Sequence, residues 1–123
     1  MSRAMKIAHL AAAVFFTFCM SVQFNDPDAA LWVGIYATAA AISAAAAIDK
    51  VIAPLAGVLA FGSLSGAVVL AQQVLGHQPL YGSEEGREMM GLGLVALWIG
   101  GIFWRELGRA ARESAEAQDG DGA

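Results

Sequence analysis

Four long apolar stretches separated by short polar breaks set the pattern of this 123-residue chain. They cover residues 5–24, 29–48, 51–75 and 89–104. At a rise of about 1.5 Å per helical residue, roughly 20 residues cross a hydrocarbon layer of about 30 Å. The first three stretches reach that length with no charge beyond Lys6, which lies at an end. The fourth reaches it when the helix enters from Ser83 and leaves past Arg105. The pattern therefore predicts helices at about 5–24, 29–48, 51–75 and 84–107. Strands are disfavoured, because alternation is missing and Ala and Leu dominate. A membrane barrel would need alternating segments of about ten residues. The fold class is all-α: a four-helix transmembrane bundle over residues 1–112, with a disordered tail at 113–123.

The polar breaks say how the helices connect. Only Asp49 and Lys50 separate the second helix from the third, which predicts a tight antiparallel hairpin and an up-down-up-down order. Pro54 falls in the first turn of the third helix, where its missing N–H removes no helical bond. Ala39, Ser43 and Ala47 mark one small-residue face of helix 2, and Gly62 and Gly66 form a GxxxG in helix 3. Such faces let backbones approach closely where lipid offers no hydrophobic drive for association.

Composition agrees with a lipid-facing surface. Hydrophobic residues make up 58% and charged residues 15%, against about a quarter charged in soluble domains. A soluble protein this small has a large surface for its volume and needs polar residues to cover it; this chain has too few. The charge of -4 is modest, and no basic stripe or basic-aromatic interleaving suggests nucleic acid. Arg3 and Lys6 resemble a signal-peptide n-region, but the apolar part runs on to Phe24 and no A-x-A site follows, so helix 1 is expected to be retained. The basic residues also set the orientation. Arg3, Lys6, Lys50, Arg105, Arg109 and Arg112 fall on one side and Arg87 alone on the other, which places both termini in the cytoplasm, in a multi-pass protein of the cell membrane.

Two polar motifs then share the outer face. One is Gln23-Phe24-Asn25-Asp26-Pro27-Asp28, followed by Trp32. The other is Ser83-Glu84-Glu85-Gly86-Arg87-Glu88, preceded by His77 and Tyr81. Each has a structural explanation: Asn25 or Asp26 and Ser83 as helix caps, acidic residues at the positive ends of helix dipoles, and Trp32 in an interfacial aromatic belt. Together they crowd five carboxylates around Arg87, and two such charges 4 Å apart cost on the order of 4 kcal/mol at an effective dielectric near 20. A salt bridge from Arg87 to Asp26 or Asp28 would relieve this. Within the spans, His9 is the unusual residue, placed near the inner interface where headgroups or water are in reach. Gln72 and Gln73 could line a polar pocket beneath the motifs, but such residues more often bond across helices or reach the interface, which is the expectation here. Cys19, the single cysteine, reads as a small hydrophobe.

QFNDPD with Trp32 after a first membrane helix, and EEGREMMGL opening a fourth, resembles the transmembrane protein 220 family in order and spacing over nearly the whole chain except the tail. The resemblance implies a four-helix membrane protein and carries over no catalytic residue. By that analogy Asn25, Asp26, Pro27, Asp28, Trp32, Glu85, Arg87 and Glu88 are the ligand-binding or inter-loop positions. No catalytic residue, metal site or cofactor is expected: one His with scattered carboxylates is an unspecific metal signal, and no serine or cysteine has a His-acid partner by spacing. The reading is a non-enzymatic accessory or small-ligand-binding module in contact with the lipid bilayer, with another membrane protein or a homo-oligomer as partner. The alternatives are a membrane enzyme using outer-face carboxylates on a lipid or small molecule, and a transporter or channel component, which would need oligomers to make room for a pore.

Overall fold

The computed structural model describes residues 2–24, 29–77 and 84–122. Its described residues form four helices: α1 (Arg3–Ser21), α2 (Ala29–Ala47), α3 (Ala53–His77) and α4 (Glu84–Gly122). All four are long and apolar enough to cross a membrane. Their surface accounts for this. Val14, Val58 and Leu97 are 71, 72 and 77% exposed, and Phe18, Phe61 and Trp104 also point outward. Burying one such side chain away from water is worth about 1.5–3 kcal/mol, so a bundle that leaves them all outside is solvated by hydrocarbon.

The helix ends follow from local chemistry. Ser2 caps α1, its hydroxyl accepting the Met5 N–H at 3.2 Å. At the end of α2, Lys50 N–H donates to Ala45 O at 2.9 Å and Asp49 N–H to Ala46 O at 3.2 Å. Asp49 sits between them at φ 55°. These are the two bonds of a Schellman cap, with Asp at the left-handed position that glycine usually occupies. Asp tolerates that region better than most side chains. Pro54 falls in the first turn of α3, as expected.

Contacts between helices fix the register. Gly57 lies against Phe103, Ala60 against Gly100 and Gly66 against Leu92, so α3 and α4 run antiparallel. Phe16 stacks on Tyr36 near one end of the α1–α2 pair. Tyr36 meets Gly91 and Ser43 meets Trp98, so α2 and α4 run the same way. The order is up-down-up-down. The tightly apposed pairs are nevertheless α1 with α2 and α3 with α4; α2 touches α3 and α4 much less. The expected tight α2–α3 hairpin is thus corrected: the cap reverses the chain, but α3 leans away onto α4.

Small residues explain that choice, although not in the expected way. A Cβ on Gly62 would meet nothing within 4 Å, so Gly62 faces lipid, and of the GxxxG pair only Gly66, against Leu92, meets α4. The face that meets α4 carries Ala56, Gly57, Ala60 and Ser63, all buried. A Cβ on Gly57 would lie 2.9 Å from Phe103 Cε2, so this glycine permits the close approach. On α2 the predicted face holds: Ala39, Ser43 and Ala47 are buried. The core joins Phe16, Trp32, Tyr36, Leu92, Val95 and Ile99. No backbone approach links α1 to α4 among the described residues; large side chains fill that gap.

The fourth helix extends through Gly122, beyond the end expected near 107. Residues 109–117 intersperse Ala with Glu and Arg, good helix formers, and Arg109 pairs with Glu106 at 3.8 Å and Glu113 at 3.4 Å along the same face. Such spacings add a few tenths of a kcal/mol each, on the order of 0.3–0.5.

Candidate functional site

The sequence directs attention to the end of the bundle where α2 and α4 begin, here the motif end. Trp32 sits in the first turn of α2 and is buried rather than belted at the lipid interface. Its ring lies 6.4 Å from Tyr36, which lies 6.4 Å from Phe16 in a stacked arrangement. This column fills the space between α1, α2 and α4. The Tyr36 hydroxyl reaches α4 at Gly91, where a side chain would collide with it. Glu88 lies one turn earlier on α4 and is half-buried. Arg87 is exposed.

The structure thus links Trp32 to α4 at Gly91 through Tyr36, a residue that sequence reasoning passed over. Asn25, Asp26, Pro27 and Asp28 lie outside the described residues, as does the side chain of Glu85, and so does the expected bridge from Arg87 to Asp26 or Asp28. Tyr81 and Ser83 lie outside them as well, as do the side chains of Gln73 and His77. Gln72 is exposed on α3.

A second polar assembly occupies the opposite half, toward the α2–α3 turn, here the hairpin end. His9 is 4% exposed, not reaching for headgroups as expected. Its ring packs edge-on against Trp98 with centroids 5.4 Å apart. Trp98 Nε1–H donates to Ser43 Oγ at 3.2 Å, and the Ser43 hydroxyl donates to Ala39 O at 2.8 Å. An indole N–H in hydrocarbon needs an acceptor, and Ser43, fully buried on the small face of α2, supplies it. Thr17 and Thr38 turn their hydroxyls back on Ala13 O and Gly34 O, each at 2.7 Å. His9 Nδ1 and Ser63 Oγ are buried without a hydrogen-bond partner among the described residues. A tryptophan at the middle of an apolar stretch, rather than its edge, was the available signal for this cluster.

Beyond it, Asp49, Arg105, Glu106, Arg109 and Arg112 surround a polar recess of about 320 Å³. The Schellman cap on α2 places Asp49 within 3.7 Å of Arg109. Among the described residues, no three His, Cys, Asp or Glu side chains gather as a metal site would require. Cys19 is a free thiol packed against the core.

Four apolar helices around a lipid-facing bundle, with polar groups gathered at its ends, define a multi-pass membrane protein. The particular family follows from its residues 15–104, which match the model of transmembrane family 220, helix. The chain belongs to that family. No solved structure matches it.

Proposed function

We propose that the protein is a non-enzymatic membrane module of the cell membrane. It would bind a small ligand, or another membrane protein, through Asn25, Asp26, Pro27, Asp28, Trp32, Glu85, Arg87 and Glu88 on the outer face. In this reading both termini are cytoplasmic, since six of the seven Lys and Arg residues fall at the other end. The supporting observation is the aromatic column: Trp32 and Tyr36 link the start of α2, just after one motif, to Gly91 on α4, just after the other. A rigid floor beneath two polar motifs suits recognition. The interior below it is filled by Phe16, Val95 and Ile99, which favours a docking module over a conduit.

The test is affinity purification from native membranes in mild detergent, comparing the natural chain with Asp28→Asn and Arg87→Gln. A protein or lipid that copurifies with the natural chain and is depleted in both variants is the expected result. Recovery of the same ligand-free monomer from all three would overturn the proposal.

A further inference from the structure

The recess at the hairpin end does not stand alone. Arg105 lines it and also lines a neighbouring cleft of about 240 Å³, whose walls are Met5, His9, Leu97, Trp98 and Ile102. One guanidinium therefore stands at the junction of a charged compartment and a largely apolar one. The arginines are not equivalent. Arg109 is engaged by Asp49, Glu106 and Glu113. Among the described residues, neither Arg105 nor Arg112 has a carboxylate within ion-pair distance. In the apolar compartment, His9 is more than nine-tenths buried, lines the cleft, and keeps Nδ1 without a partner among the described residues.

We propose that this junction binds an anionic phospholipid, with its phosphate on Arg105 and Arg112 and one acyl chain in the cleft against Leu97, Trp98 and Ile102. Three features converge on that occupant. Guanidinium groups present paired N–H donors that match phosphate oxygens. The adjoining apolar cleft runs along helix surfaces that already face hydrocarbon, as a tethered chain requires and a free phosphate does not. His9 lines the same cleft with its buried Nδ1 unpartnered among the described residues, so the wall includes one polar side chain where the ester and glycerol oxygens of a phospholipid would fall. The site lies at the end of the bundle opposite the two motifs and stands independently of the function proposed for them.

Two measurements test it. In the first, native mass spectrometry counts phosphatidylglycerol and phosphatidylcholine retained by the unmodified, delipidated protein from equal mixtures. In the second, protein carrying Trp32→Phe and Trp104→Phe, which leaves Trp98 as its tryptophan, is reconstituted with either lipid brominated near the head of its acyl chain. Trp98 quenching should reach its midpoint at a lower mole fraction of the anionic lipid, by about fivefold for each arginine engaged. Arg105→Gln with Arg112→Gln should erase the preference in both measurements. Arg3→Gln with Lys6→Gln, which removes two charges at the same end outside the recess, should keep it. Equal binding of the two lipids by the natural chain would overturn the proposal, as would a preference that survives the arginine substitutions. So would complete displacement by millimolar inorganic phosphate, which would assign the arginines to a free anion.

Discussion

Gly91 and Tyr36 illustrate how one atom decides a contact in a bundle without a hydrophobic drive. The Tyr36 hydroxyl occupies the place a Cβ at position 91 would take, while its Cζ lies 3.3 Å from that place. Gly91→Ala should therefore destabilise the bundle by about 1–3 kcal/mol, the usual cost of overpacking. Tyr36→Phe in the same chain should restore much of the loss, because the colliding atom is gone. Equilibrium unfolding in mixed micelles, run as a double-mutant cycle, reads this directly. A double variant no more stable than Gly91→Ala would disprove the contact. The Ser43–Trp98 bond works at the same scale: interhelical hydrogen bonds in membranes average about 0.6 kcal/mol, so its role is to satisfy a buried donor. The need for an acceptor is legible in Trp98 itself. That Ser43 is the acceptor depends on helix rotation, which local composition does not specify.

Among the elements, α3 shows where pattern reading succeeds and where it fails. Its length, its start near Pro54 and its place in the bundle are written in its apolar run. Its packing face is not, because small residues occur all round: Gly62 and Gly66 form the recognisable motif, yet the buried set is Ala56, Gly57, Ala60 and Ser63. The physical reason is that in lipid both faces of a helix are apolar, so hydropathy carries no phase. Gly57→Leu and Gly62→Leu should separate the two assignments. The first places a side chain where Phe103 Cε2 lies 2.9 Å from the Cβ position, and the second points into lipid. Thermal unfolding in detergent should drop by several degrees for Gly57→Leu and stay near that of the natural chain for Gly62→Leu. Equal losses in the two would mean that α3 is rotated from the position described. The long α4 carries a related lesson. Apolar length sets its crossing, whereas Arg109, with Glu106 and Glu113 beside it, continues the helix beyond the last apolar turn.

For the molecule as a whole, sidedness is the property most directly open to test. With Cys19→Ala as background, single cysteines at Ser2→Cys, Ser83→Cys and Gly120→Cys can be treated on intact cells with a membrane-impermeant maleimide. Cytoplasmic termini require labelling of Ser83→Cys in intact cells, and of the other two after permeabilisation. The inverse pattern would reverse the orientation and move the proposed motif face inside. The proposed lipid site belongs to this scale too, because it joins α1, α4 and the turn between α2 and α3, and no single element contains it.

Hydrophobic length and the scarcity of charge were enough to establish the number of helices, their solvent and their order along the membrane, because crossing hydrocarbon imposes a minimum span and closes the backbone's hydrogen bonds within each helix. The NDPD and EEGRE motifs were likewise enough to indicate the family. Pairing was another matter. That α3 leans on α4, that Trp32 turns inward, that His9 meets Trp98, and that Arg105 stands between a polar recess and an apolar cleft were settled by how side chains fit across helices. Where every face of a helix is apolar, shape complementarity selects the partner, and shape exists only once the helices are assembled.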